Sequence, residues 1–395
     1  MKTEQLIGSD LLKVHKNKIK SWGASDLLCN HSSMTSSFES APSLCSQFLG
    51  DNLKSMIAPQ HGYWGTEQDN MIETKDSYFK NPDLPIYSLY HDKREPDEKM
   101  LKNIDTLLID LQIVGCRVYT FKWTILNCLK AAKRLDKRVV IFDRPNPLGH
   151  NVIEGRIWEK EALSFVGMLP IAMRHGLSVG EFARFANNQI GANLEVLPFE
   201  GWNPEHLWNQ EKKIWPYTSP NLPNFDSVVL YPGMVLFEGT NLSEGRGTTL
   251  PFQIVGAPYV KDPDKIIKRV KDYLPKLEGV YLKEAFFNPT FNKWKNETCG
   301  GLQILVTDPE KIRSYSLALA ILKSVRDYHE NQFQWKEPPY EYDYKNNPIH
   351  LILGSNKTSL ATKEKKPNDD FWLNGLKDYT EQIKSSLLYK RELRF

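Results

Sequence analysis

The chain has 395 residues, 41% hydrophobic and 25% charged, with a formal net charge of +3. This is the balance of an ordinary globular protein, and the length exceeds that at which a single core stops growing, so two domains are expected. So small a charge argues against a nucleic-acid footprint or a membrane-surface patch, and no apolar run approaches the ~20 residues needed to cross a bilayer.

The amino terminus lacks the basic region, long apolar segment and small-residue cleavage site of a secretory signal. The expected location is therefore the cytoplasm, with neither membrane nor nucleic acid as a partner. Five cysteines (Cys29, Cys45, Cys116, Cys128, Cys299) are scattered, odd in number and without a C-x-x-C pair. Buried free thiols in a reducing compartment fit that pattern better than a disulfide framework or a zinc site, and neither Cys116 nor Cys128, in apolar surroundings, reads as a nucleophile.

In chain order, residues 25–30 read as the first strand. The cap-rich turn 31–37 leads to a helix over 38–49, and 53–58 is the second strand, a unit long enough for a right-handed parallel crossover. Pro59, Gly62 and Gly65 then break regular structure. A strand over 84–90 and a helix starting at Glu95, acidic in its first turn, follow. Residues 105–111 are almost continuously apolar, as an interior parallel strand should be. Phe121, Ile125, Leu126, Leu129 and Ala132 recur at helical spacing and predict a helix over about 119–135. The next strand, 137–143, stops at Asp143-Arg-Pro-Asn-Pro147, where two prolines hold the backbone extended. Ser178 with Glu181 three residues on is a capping box for a helix over 178–187. Residues 193–198 and 227–232 read as later strands, with a Trp-rich excursion between them. Beyond about Pro251 come shorter strands over 252–257, 279–282 and 301–307, and an amphipathic helix over 312–328. An aromatic loop over 333–347, a charged linker or mobile loop over 355–370 and a terminal helix over 371–393 complete the chain. The fold class is α/β: a Rossmann-like, mostly parallel sheet domain over residues 1–250 and a smaller α+β domain over 251–395.

In open α/β sheets, ligand sites collect outside the carboxyl ends of the strands. The loop after the second strand delivers Gln60, His61, Glu67, Gln68, Asp69, Asn70 and Glu73 there, with Tyr63 and Trp64 among them. Carboxylates, amides and flat rings together suit a sugar; a polar surface loop with one buried His is the alternative reading of the loop alone. The other strand ends add Asn30, then Asp110, Gln112, Arg117, Tyr119 and Thr120, then Asp143, Arg144 and Asn146. For Asp143 and Arg144 the competing reading is an ion pair that ties down a turn. A second polar cluster, 237–249, carries Glu238, Asn241, Ser243 and Arg246 among Gly239, Gly245 and Gly247. Glycine permits close backbone approach, and Arg246 is suited to hold a carboxylate bidentately. It lacks the lysine and spacing of a P-loop, and no Gly-x-Gly-x-x-Gly turn follows the first strand, so no nucleotide cofactor is expected.

The motifs Pro59-Gln-His-Gly-Tyr-Trp-Gly65, Pro85-Ile-Tyr-Ser-Leu-Tyr90, Asp110 to Thr120, Asp143-Arg-Pro-Asn-Pro-Leu-Gly149, Ser164-Phe-Val-Gly167 and Glu238 to Gly247 resemble, in order, the exo-β-N-acetylmuramidase family (NamZ type). The resemblance covers roughly residues 26–257 with specific motifs and the rest more weakly. It implies a Rossmann-like domain carrying the cleft and a smaller domain closing one side. The implied activity is removal of terminal β-linked N-acetylmuramic acid from the non-reducing end of peptidoglycan fragments, with no metal or other cofactor. In the commoner family pattern a Gly-Glu pair follows the His-Gly-x-x-Gly segment and supplies the catalytic carboxylate. Here a gapless register puts Asn70-Met71 there, with Glu67 before and Glu73 after, so the loop looks like a variant form.

Glycoside hydrolysis needs an acid for the leaving oxygen and a second group for the anomeric carbon. Glu73 is the expected acid, with Glu67 second and His61 orienting the acid or contacting the sugar. The substrate's 2-acetamido group, oriented by Asp69 or Asp110, or a direct carboxylate nucleophile would fill the second role. Arg246 or Arg144, ahead of Arg117, would hold the lactyl carboxylate of muramic acid. The alternative class is a non-catalytic peptidoglycan-sugar binding protein using the same cleft.

Overall fold

In the computed structural model, which describes residues 4–69, 71–91, 93–159 and 162–395, the apolar runs of the first half assemble into one sheet. Its strands are β1 (Ser25–Cys29), β2 (Leu53–Ala58), β3 (Ser77–Lys80), β4 (Asp83–Ser88), β5 (Thr106–Asp110), β6 (Arg138–Phe142) and β7 (Asn193–Leu197). They lie in the order β3-β4-β2-β1-β5-β6-β7. Every pairing is parallel except that of β3 with β4. All residues of β1 and β5 are buried, as strands covered on both faces must be. The sequence reading missed β3, an edge strand in which only Phe79 is buried, so it carries little apolar signal.

Helices α1 (Lys16–Ile19), α2 (Ala41–Leu49), α3 (Glu98–Leu101), α4 (Phe121–Arg134) and α5 (Val179–Ile190) connect and cover these strands. The capping box forms as the spacing predicts: the Ser178 side chain accepts from the Glu181 backbone N–H, and the Glu181 carboxylate accepts from Ser178 N–H. Because β1 is flanked by β2 on one side and β5 on the other, chain direction diverges between β1 and β5. That is a topological switch point, and it opens a crevice at the strands' carboxyl ends.

The second sheet is antiparallel, with β8 (Ile254–Ala257), β9 (Val280–Phe287) and β10 (Cys299–Val306) in the order β8-β10-β9. The accompanying helices are α6 (Phe225–Met234), α7 (Pro263–Tyr273), α8 (Ser314–His329), α9 (Pro348–Leu353), α10 (Asn356–Glu364) and α11 (Leu376–Ile383).

Three expectations are corrected. Residues 227–232 form part of α6, not a strand. A short apolar run suits a buried helix as well as a buried strand, and Asn224 decides by capping Ser227 N–H. Gly233 then lets α6 lie against the start of α8, since a Cβ there would sit 1.8 Å from the Ser314 carbonyl oxygen. The stretch 355–370 is not a linker, because Ser355 caps α10 within it. The terminal helix is short: Gly375, left-handed at φ 83°, separates a 3-10 turn at Asp370–Leu373 from α11. The chain then runs as an arm back to the first sheet. Tyr389 Oη donates to Asp143 Oδ2 at 2.6 Å, and Arg391 donates to both oxygens of Glu181 at 2.6 and 2.9 Å. Among the described residues no helix is long and apolar enough to cross a membrane.

Burial alone would push the Glu181 carboxyl up, but His150 and Arg391 outweigh it and hold it at about 2. A depressed carboxylate stabilises the fold above its unfolded value of 4.5, and that contribution is lost as pH falls from there towards 2. Arg391→Ala removes the partner of a buried charge and should cost about 3–5 kcal/mol at pH 7. The check is the urea midpoint of variant and wild type, whose separation should narrow below about pH 4.5. A separation independent of pH would show that Arg391 acts through packing alone.

Candidate active site

Where β2 ends, the chain turns sharply through His61 and Gly62, both left-handed at φ 69° and 71°. The turn sets the His61 ring beneath the loop, where its Nδ1 lies 2.6 Å from the Glu67 carbonyl oxygen. A carbonyl only accepts, so Nδ1 carries the proton and Nε2 the lone pair. Burial, with Arg246 and His31 nearby, lowers the ring to about 4, so His61 is neutral in the physiological range.

His61 and Gln60 line a narrow cavity together with Tyr119, Glu238, Arg246 and Glu341. Gln60 and His61 follow β2, and Tyr119 precedes α4. Glu238 ends the 3-10 turn after α6, and Glu341 lies in the aromatic loop before α9. The cavity is thus walled by both halves of the chain.

Two buried carboxylates face it in different surroundings. Glu238 accepts from Arg246 Nη2 at 2.5 Å and from Tyr340 Oη at 2.7 Å. Glu341 accepts from Gln60 Nε2 at 3.2 Å and from Tyr90 Oη at 2.8 Å, and among the described residues no cation is in hydrogen-bond range. Burial pushes Glu341 above the usual carboxylate range, Glu238 adds to the rise, and the bonds from Tyr90 and Gln60 offset it only in part. Thr120 Oγ1 donates to Gln60 Oε1 and so turns the amide nitrogen towards Glu341.

Arg246 is hemmed in by acids. Beyond Glu238, it lies 3.4 Å from Glu244 and 3.7 Å from Asp69. Burial would lower the guanidinium, but Glu238 and Glu244 raise it above its ordinary value and keep it charged. Glu244 also pairs with Lys293 at 2.7 Å, and Asp69 accepts from Asn292 at 2.8 Å.

The remaining candidates divide. Gln60, His61, Tyr119, Glu238 and Arg246 meet at the cavity. Glu67 and Gln68 point backbone carbonyls inward, accepting from His61 and Asn221. The Glu73 carboxylate is 49% exposed, lies 3.7 Å from His91 and is not part of the cavity lining. Asn70 lies outside the described residues. Asn30 holds its own loop, donating to Thr218 O and accepting from Ser32. Asp110 and Arg144 form a fully buried pair, Asp110 also accepting from Ser9 N–H at 2.9 Å. Arg117 donates to the carbonyls of Arg156, Ile171 and Ile352. Gln112 donates to Pro145 O, Asn146 accepts from Leu148 N–H, and Asp143 binds Ser178, Gly180 and Tyr389. Asn241 bridges Gln332 and Tyr259, and Ser243 accepts from Gly245 N–H. These groups brace the strand ends rather than face the cavity.

Sequence reasoning missed Tyr90, Tyr340 and Glu341. The signal was present in Pro338-Pro-Tyr-Glu-Tyr342, a proline-stiffened loop presenting a carboxylate between aromatics, as Arg144-Pro-Asn-Pro147 presents its polar groups.

A family model described as the N-terminal part of exo-β-N-acetylmuramidase NamZ matches residues 26–226, and its C-terminal counterpart matches 229–389. The peptidoglycan β-N-acetylmuramidase NamZ of Bacillus subtilis (strain 168) is 36% identical over 312 residues, 78% of this chain and 74% of that protein. Two crystal structures of DUF1343 family proteins from Bacteroides fragilis NCTC 9343 match with TM-scores of 0.83 and 0.73. Each is 25% identical, and the matches cover 98% and 99% of this chain and 99% and 100% of theirs.

Arg246→Met would deprive Glu238 and Glu244 of a buried counter-charge and should cost about 3–5 kcal/mol, read as a lower urea midpoint. Adding Glu238→Gln should recover part of the loss, since the uncompensated charge is then gone. An unchanged midpoint in Arg246→Met would mean that water, not the guanidinium, satisfies the acids.

Proposed function

The chain belongs to the exo-β-N-acetylmuramidase NamZ family, and from that premise we propose that it hydrolyses terminal β-linked N-acetylmuramic acid from the non-reducing end of peptidoglycan fragments. One observation carries the reading beyond family membership: the cavity's polar walls come from both matched segments, Gln60, His61 and Tyr119 from the first and Glu238, Arg246 and Glu341 from the second. A parallel sheet with a crevice is common to many chemistries, so the fold by itself would not support an activity.

The cavity suits the task. Two carboxylates in unlike surroundings are the usual equipment for cleaving a glycosidic bond. Neutral His61 presents an acceptor to a sugar hydroxyl. Asp69, beside Arg246, is the loop carboxylate we assign to the 2-acetamido group. Arg246 is paired with a carboxylate of the cavity, and a lactyl carboxylate would reach it by competing with Asp69, which lies farther from it than Glu238 and Glu244 do. Arg144 is less suited, being committed to Asp110 and the Met34 carbonyl. Trp64, 57% exposed on the same loop, offers a flat apolar face for a second sugar. Five buried free thiols suit a reducing compartment, and we assign the reaction to cytoplasmic turnover of cell-wall fragments.

The test is release of chromophore from the para-nitrophenyl β-glycoside of N-acetylmuramic acid beside its N-acetylglucosamine analogue. Turnover of the muramic substrate should exceed that of the analogue by about 100-fold or more, because a site built around a carboxylate rejects the ligand that lacks it. Binding of muramic fragments without turnover of either glycoside would replace this reading with a non-catalytic sugar-binding protein.

A further inference from the structure

We propose that Glu341, on the aromatic loop of the second half, is the general acid that protonates the leaving glycosidic oxygen, with Tyr90 as its positioning residue. This inference rests on the glycosidase reading above. Three independent observations support it. Glu341 lines the cavity and is 5% exposed, so its carboxyl is at the site yet largely withdrawn from bulk solvent. Its carboxyl is held from two sides by Tyr90 Oη and Gln60 Nε2, which fixes its orientation before substrate arrives. Its backbone is strained: Glu341 and Tyr342 are consecutive non-glycine residues in the left-handed region, at φ 46° and 67°. Such strain persists where surrounding contacts over-determine a side chain's position, and it clusters at functional sites.

The charges around Glu341 favour the protonated form. Glu238 faces the same cavity and repels a second negative charge, which outweighs the opposing pull of Arg246, itself shared between Glu238 and Glu244. Tyr90, Tyr340 and Tyr342 surround it, the Arg94 guanidinium stacks on the rings of Tyr90 and Tyr342 at 4.3 and 4.0 Å, and His61 across the cavity is neutral. The division matches the pattern in which one carboxyl is kept as an acid and its neighbour as an anion. In the step itself the Glu341 proton passes to the glycosidic oxygen as the C1–O bond breaks, and the bonding pair goes to that oxygen. Charge developing at C1 is stabilised by the sugar's own 2-acetamido oxygen and by the Glu238 anion. Water then adds to C1 and returns its proton to the Glu341 carboxylate, so the residue ends as it began. Loop glutamates are poorer acids in this geometry: Glu73 is half exposed outside the lining, and Glu67 contributes its backbone carbonyl.

The decisive comparison is between substrates of unequal leaving group. para-Nitrophenolate departs without a proton, whereas the sugar of an N-acetylmuramyl-N-acetylglucosamine disaccharide does not. Glu341→Gln should therefore lower kcat/KM on the disaccharide by about 10²–10⁴-fold while lowering it on the para-nitrophenyl glycoside by less than about 10-fold. Glu67→Gln and Glu73→Gln should show no such selectivity. Equal losses on both substrates in Glu341→Gln, or the selective loss in a loop variant instead, would overturn the assignment. Tyr90→Phe gives a second arm that spares the carboxyl. It removes a hydrogen bond that favours the Glu341 anion, so the alkaline limb of the disaccharide pH profile should move to higher pH. An unmoved limb in a folded Tyr90→Phe protein would overturn the inference. Failure of wild type on both muramic substrates would instead sink the glycosidase reading on which it rests.

Discussion

The buried guanidinium of Arg246 is the contact on which the site depends. Its acidic neighbours come from separate segments: Asp69 from the loop after β2, Glu238 and Glu244 from the glycine-rich turn after α6. Lys293 and Asn292, between β9 and β10, extend the cluster by binding Glu244 and Asp69. One cation thus ties the first sheet's central loop to the second sheet. Such a cluster is a poor source of net stability, because desolvating charges offsets most of their attraction. Its value is geometric: buried Glu238 and Glu244 are costly anywhere except beside the cation, which fixes the glycine-rich turn that carries them.

That arrangement leaves the cavity electrostatically divided. One end holds an ion pair, the other a carboxyl with hydrogen-bond donors but no cation of its own. Buried polar groups act more strongly than those on a surface, which favours chemistry that moves charge. His61 stays neutral because its buried ring lies near a cation, so it adds an acceptor without adding charge.

The bracing around the cavity follows the same economy. Four strand ends present polar side chains, yet most of these bind neighbouring backbone. Asp110 with Arg144, and Asp143 with Ser178, Gly180 and Tyr389, satisfy groups that burial would otherwise leave exposed to no partner. Lys122 does the same for carbonyls between β5 and α4, and Arg117 for the distant carbonyls of Arg156, Ile171 and Ile352. Burial lowers Lys122 to about 7, and its three N–H groups each reach a carbonyl, of Cys116, Arg117 and Tyr119, which holds that turn. The C-terminal arm closes over α5 by pairing Arg391 with Glu181, so the last residues of the chain steady the first sheet.

The sequence by itself determined what depends on local pattern. Continuous apolar runs announced β1, β2, β5 and β6, helical spacing announced α4, and Ser178 with Glu181 announced the start of α5. Strand ends followed by glycine and proline located the cavity's first wall at Gln60 and His61. Tertiary structure decided the rest. The run at 227–232 became helical through the Asn224 cap and its packing on α8, which no local periodicity records. It brought Glu341 across about 280 residues to Gln60, and it turned Asp110, Arg144 and Asp143 from ligand candidates into braces. A side chain's type states what it can do, but whether it faces a cavity or a neighbouring carbonyl depends on which distant segment buries it. That is settled by the free energy of packing the whole chain, where every buried polar group must find its partner.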